Sequence, residues 1–273
     1  MNWGRPWPSI TVIRDGRVSA ANWLLQHRDD VLNDPNPITW QMVARSAELT
    51  RDPALTRLVD EYLRRYMSSG ASDPFRQLFG LTYDGRARPM DILSALDDYQ
   101  EFFLFTLTCD PELSALKTIT AQQNPDFCPT SYPLSPACST HQLMGLRFGE
   151  EFGCLSASSI SVAKTALLNS IERQLFWDVR LVDVYIQRTL MLTEERGPFG
   201  AGAPALQNVL RMRMPDGGWS SSQPFFPVRN GKWFGATRDG FGIVEKRGQF
   251  HATAQVLLLL SLSDAEAGVE ASD

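Results

Sequence analysis

Long apolar runs are missing from this chain. The longest apolar stretch in its 273 residues is Val256–Leu262, against the roughly 20 residues a membrane-crossing helix needs. The opening residues MNWGRPWPS have no apolar core of the kind a secretory leader carries. They therefore suit either a cytoplasmic chain or a mature form whose leader is gone. Basic charge is not in excess: 26 Lys and Arg face 31 Asp and Glu, for a net charge of −5. That argues against a general nucleic-acid binder, which needs a basic face. Histidine is scarce, at three residues, and cysteine is limited to four. The chain holds no Gly-x-Ser-x-Gly elbow, no phosphate loop and no His-Glu-x-x-His pair. What remains is ordinary globular stock, 43% hydrophobic and 21% charged, enough for a proper core.

One internal repeat stands out. Leu49-Thr-Arg-Asp-Pro-Ala-Leu-Thr-Arg-Leu58 recurs as Leu107-Thr-Cys-Asp-Pro-Glu-Leu-Ser-Ala-Leu116, with six of ten positions shared. In each copy Leu-Thr closes one helix. Asp52 or Asp110 can then cap the next, its carboxylate accepting a free backbone N–H, with Pro53 or Pro111 in the first turn, where no N–H is needed. Each copy thus reads as the corner of a helical hairpin. Around these corners apolar periodicity predicts helices over Thr39–Thr50, Pro53–Met67, Met90–Thr108, Pro111–Gln123, Thr140–Phe152, Ser158–Trp177, Arg180–Glu195, Pro204–Met214 and His251–Leu262. Helices apolar all round alternate with amphipathic ones, so inner and outer layers alternate. Inner helices start near Thr39, Asp97, Thr140, Asp183 and His251, and a repeat of 40-odd residues indicates stacked helical hairpins. Asn124–Ala137 reads as a Pro-rich loop. Asp216–Gln249, rich in Gly and aromatics, reads as an irregular or β insertion with a hairpin turn at Asn230-Gly231. The expected organisation is one domain over residues 1–262 and a fraying acidic tail over 263–273.

The outer segment Ala205-Leu-Gln-Asn-Val-Leu210 leads into Arg213-Met-Pro-Asp216-Gly-Gly-Trp219, followed by the Thr-, Ala- and Leu-rich His251-Ala-Thr253-Ala-Gln-Val-Leu-Leu-Leu-Leu260. Over about 60 residues this resembles the terpenoid-cyclase and protein-prenyltransferase superfamily of α/α toroids, whose repeats carry an Asp-Gly-Gly-Trp turn between outer and inner helix. Arg213 stands where that family usually has Gln, and the cyclases' Asp-x-Asp-Asp acid motif is absent. The resemblance implies an all-α fold, an incomplete α/α toroid with a site in its mouth, and no particular reaction.

In a toroid the N-terminal ends of the inner helices gather at one mouth. The residues placed there are Trp40 and Gln41; Asp97, Asp98 and Tyr99; His141 and Gln142; Asp183 and Tyr185; and His251 with Thr253. His141, His251, Tyr185 and Asp183 are the acid–base candidates, and the two histidines are expected to share one cavity. These residues could equally be helix caps and polar barrel filling. Arg180 could neutralise a uronate, and Trp40, Gln142, Trp219 and Trp233 could bind substrate, the tryptophans offering flat faces to sugar rings or simply ordering their own loop. Asp97-Asp98-Tyr-Gln-Glu101 is similar to the Asp-Asp-x-x-Glu magnesium motif of class I terpene synthases, but without a second motif it reads as a polar helix start.

Cys109 and Cys154 end successive inner helices, and Cys128 and Cys138 bracket the proline loop. Pairing them so gives two disulfides and a periplasmic or secreted location. The competing readings are reduced thiols, or a zinc site built on Cys138-x-x-His141 with Cys128 and His251; no other cofactor or metal is expected. Three functions stay open: an enzyme of hydrolase or lyase type acting on a glycan, a non-catalytic binding or assembly module with a protein partner, and an isoprenoid cyclase or transferase.

Overall fold

The two repeat copies fold alike. We describe the chain from a computed structural model, which covers residues 6–67, 73–83, 93, 96, 98–128 and 135–270, with backbone alone for 266–270. Helix α3 (Pro37–Thr50) ends at Arg51, which takes the left-handed conformation at φ 53°. Asp52 then caps α4 (Pro53–Tyr62), accepting from the N–H groups of Ala54 at 2.8 Å and Leu55 at 3.3 Å. In the second copy α5 (Asp98–Thr108) ends at Cys109, φ 52°. Asp110 caps α6 (Pro111–Ser114) through Glu112 at 2.8 Å and Leu113 at 3.1 Å. Both corners therefore use the same three devices: a left-handed residue, an Asp cap and a first-turn proline.

Those copies lie in separate compact units, Met1–Arg65 with Gln174–Asp273, and Tyr66–Arg173. The first unit is organised around α12 (Phe250–Glu270), buried on every side from Ala252 to Ser261 and packed against α1 (Ile10–Gln26), α3 and α10 (Asp183–Arg196). Helix α10 is likewise buried from Asp183 to Thr193. The amphipathic α4 and α11 (Ala203–Arg211) lie outside, against α3 and α10 respectively. In the second unit α5 packs against α8 (Cys138–Glu151) and α7 (Lys117–Gln122), and α9 (Ala157–Trp177) carries the chain past its last residue, Arg173. Gly145 allows the α5–α8 approach, since a Cβ there would meet the Phe102 ring.

Helix α1 is absent from the sequence expectations. Ile10, Val12 and Ile13 are β-branched and Gly16 interrupts the helix, both weakening the local signal. The glycine has a packing reason: a Cβ at Gly16 would meet Leu260 at 2.8 Å and Leu210 at 2.9 Å. Pro111–Gln123 is two short helices rather than one, because the chain breaks at Leu116, which turns extended (ψ 139°) with its N–H on the Leu113 carbonyl at 3.0 Å, while Ser114 donates its hydroxyl to the Pro111 carbonyl at 2.7 Å. Helix α12 does not stop at Leu262. It continues to Glu270, with Ser263 buried and Asp264 bridging Arg14 at 2.7 Å and Arg17 at 3.2 Å. Trp3, Met90, Asp97 and residues 129–134 of the proline loop lie outside the described residues.

The insertion after α11 is a three-stranded antiparallel sheet, β1 (Gln223–Pro227), β2 (Trp233–Thr237) and β3 (Gly240–Val244) in that order. The β1–β2 turn has Asn230 at φ 59° and Gly231 at φ 70°, the pair of positive angles a type I′ hairpin requires. The Asp-Gly-Gly-Trp segment is a clasp between α11 and α12. Asp216 accepts from Gly218 N at 3.2 Å and Gly248 N at 2.7 Å. Trp219 donates its indole N–H to the Val209 carbonyl at 2.7 Å, and its backbone N–H to Thr253 at 3.0 Å. Gly218 and Gly248 have no room for a side chain: a Cβ on either would sit within 2.7 Å of the Trp23 indole nitrogen.

Both cysteine pairs are disulfides, Cys109–Cys154 with Cα atoms 4.9 Å apart and Cys128–Cys138 with Cα atoms 5.3 Å apart. The first joins the C-terminal ends of α5 and α8. Cys128 and Cys138, both named for the zinc alternative, are joined in the second.

Candidate functional site

The inner helices of the first unit meet at their N-terminal ends. Trp40, in the first turn of α3, packs its ring 5.0 Å from that of Phe250, the first residue of α12. Asp183, the first residue of α10, reaches His251 of α12, with Oδ2 to Nδ1 at 3.8 Å. The His251 side chain is 41% exposed and that of Asp183 13%. One turn on, the side-chain amide nitrogen of Gln255 lies 3.1 Å from His251 Nε2. Gln255 and the imidazole thus share one hydrogen bond, its direction set by the ring tautomer.

Electrostatics around the pair are mixed. Burial raises the Asp183 carboxyl above its ordinary range, against the opposing pull of His251 and the hydrogen bond from Val184 N. Loss of hydration lowers the His251 pKa, opposed by Asp183 and then Asp34, with Arg238 adding to the lowering. Arg238 and Asp239, from the β2–β3 turn, both act on Asp183. The end of the helix layer thus holds Asp34, Asp183 and Asp239 around His251 and Arg238.

The second unit has a comparable junction. His141, in the first turn of α8, stacks on Tyr99 of α5 with centroids 4.2 Å apart and meets the Phe103 ring edge-on at 6.4 Å. The N-terminal ends of α5 and α8 therefore also lie together. His141 and His251 belong to different units.

Other expected site residues have structural employment. Trp40 is buried, stacked on Tyr62 at 4.5 Å and donating to the Asp34 carbonyl at 2.8 Å. Trp219 is buried in its clasp. Gln142 donates to the carbonyls of Gln122 at 2.7 Å and Asn124 at 2.8 Å, pinning the loop before the proline segment. The Tyr185 hydroxyl accepts from Asn208 of α11 at 2.8 Å, and burial raises its pKa. Arg180 is spent on Asp178, through Nε at 2.8 Å and Nη2 at 2.9 Å, while the buried Arg188 donates to the same carboxylate at 2.9 Å. Burial by itself would raise the Asp178 carboxyl; the bonds from Arg180 and Arg188 reverse this and hold it lowered. Trp233 is half-buried beneath Lys246, whose Nζ lies 4.2 Å from the ring centroid.

Gln255, Asp34, Arg238 and Asp239 escaped the sequence reading. Gln255 carried a usable signal, the i, i+4 spacing from His251 along α12. Asp34, Arg238 and Asp239 come from loops and carried none. No family model, curated protein or solved structure matches this chain.

Proposed function

We propose that the chain is an extracytoplasmic binding protein, an incomplete α/α toroid that takes a neutral, hydroxyl-rich glycan at the end of its inner helices, around His251 and Asp183. One observation carries the reading: the half-exposed His251 meets the buried carboxyl of Asp183 where three inner helices begin. Sugar hydroxyls suit such a place, because a carboxylate accepts from them in charge-assisted bonds and an imidazole donates or accepts. The toroid reading is supported within the first unit by the side-by-side first and last inner helices, α3 and α12, and within the second by the meeting N-terminal ends of α5 and α8. The two disulfides support an oxidising compartment.

Two features favour binding over turnover. Gln255 lies against Nε2 of His251, the ring nitrogen turned away from Asp183, and crowds the atom a general base would use. Arg180, the natural partner for a uronate, is held by Asp178. The carboxylates of Asp183 and Asp34, which act on His251, also disfavour an acidic sugar. The test is calorimetric titration with neutral and uronic-acid oligosaccharides, for wild type, Asp183→Asn and His251→Ala. A neutral oligosaccharide should bind, and each substitution should weaken it about tenfold or more, as expected for a lost charge-assisted bond. Binding confined to uronates, or untouched by both substitutions, overturns the proposal.

A further inference from the structure

The sheet inserted before α12 presents an apolar face to solvent. Its register sets Phe226, Phe234 and Ile243 side by side across the three strands, with Phe241 two residues from Ile243 on the same side. Phe226 is 54% exposed, Ile243 59% and Phe241 67%. Phe234 stacks between its neighbours, 5.2 Å from Phe226 and 6.4 Å from Phe241. A row of phenylalanines held in water by a small sheet calls for an explanation, since isolated apolar residues are ordinary but contiguous patches mark contact surfaces.

Charge around the face is one-sided. Gln223–Thr237 contains Arg229 and Lys232, both exposed at the hairpin tip, and no Asp or Glu. The two acids that follow, Asp239 and Glu245, are paired with Arg238 at 3.4 Å and Arg247 at 2.5 Å. A locally basic sheet on a chain of net charge −5 singles this face out. We infer that the face docks on an anionic phospholipid surface, with the Phe226–Phe234–Phe241–Ile243 row entering the boundary between headgroups and acyl chains and Arg229 and Lys232 meeting anionic headgroups. Apolar area and basic charge act together in such peripheral attachment. A glycan fits the face poorly, because the side chains that make the row, Phe226, Phe234, Phe241 and Ile243, are all apolar and offer its hydroxyls no partner. A two-fold pairing with a second copy would enclose Arg229 and Lys232 with no acid from the same hairpin to meet them.

The experiment is co-sedimentation with vesicles of phosphatidylcholine alone and of phosphatidylcholine with phosphatidylserine, at low and high salt. The intact chain should bind the phosphatidylserine vesicles and lose binding as salt rises. Phe226→Ser with Phe241→Ser, and separately Arg229→Glu with Lys232→Glu, should each weaken binding about tenfold or more. All four positions are exposed, so circular dichroism should be unchanged in both variants. The inference is overturned if wild type ignores the anionic vesicles, if both variants bind as wild type does, or if the phenylalanine pair instead dissolves a dimer that shows no vesicle binding.

Discussion

Reducing the two disulfides should loosen one unit of this protein and spare the other. Cys109–Cys154 spans 45 residues and Cys128–Cys138 spans 10, the second nested inside the first. In the chain-entropy account, closing loops of these lengths in the unfolded state is worth about 4 and about 2.7 kcal/mol at 25 °C. Nesting shortens the outer loop, so the pair together supplies roughly 6 kcal/mol. A domain's whole stability is about 5–15 kcal/mol, so the loss is large for a unit of this size. All four cysteines lie within Tyr66–Arg173. The assay is hydrogen–deuterium exchange read by mass spectrometry, with and without reductant. Protection should collapse in Asp98–Thr108 and Cys138–Glu151, the helices the first bond joins. It should persist in Ile10–Gln26 and Ala252–Ser261. Unchanged protection in α5 and α8 would refute the entropic argument. Equal loss in α1 and α12 would refute the independence of the units. Four thiols that alkylate without reductant would remove the bonds themselves.

Further outcomes follow from single positions. Arg51 is exposed and left-handed at φ 53°, so Arg51→Gly should stabilise the protein by about 0.5–1 kcal/mol, seen as a raised urea midpoint at constant slope. Gly218→Ala would press a methyl onto the Trp23 indole and should cost about 1–3 kcal/mol through overpacking; a wild-type midpoint would show that Trp23 can move aside. The folded-state pKa of His251 lies below its ordinary 6.5, so neutral His251 contributes stability above that pH which is lost as pH falls through 6.5 toward the folded value. His251→Gln should flatten the fall in unfolding free energy over that window. Asp183 has the opposite sign: its raised pKa favours the fold below pH 3.8, and that contribution disappears as pH rises through the folded value.

Local rules made much of this fold legible. The two Asp-Pro corners, the Asn230-Gly231 hairpin turn, the all-round apolar helices and both cysteine pairings each depend on residues close in sequence or on a strong compositional signal. Helix α1 was illegible because its glycine answers to Leu210 and Leu260, residues some two hundred positions away. The candidate site was half legible. His251 and Asp183 begin inner helices, and their meeting follows from parallel packing. Trp40, Trp219, Arg180 and Gln142 have residue types that suit ligand binding, yet each is committed to a partner within the fold that no periodicity announces: the Asp34 carbonyl, the Val209 carbonyl, Asp178 and the loop at Gln122–Asn124.

The most direct test of the site is a histidine-selective NMR titration of the intact, oxidised protein with a neutral oligosaccharide that binds it. The imidazole resonances of His251 should shift saturably, with the same midpoint as calorimetry, and Asp183→Asn should move that midpoint to higher concentration. Saturable binding that leaves His251 unshifted would place the ligand elsewhere and contradict the account.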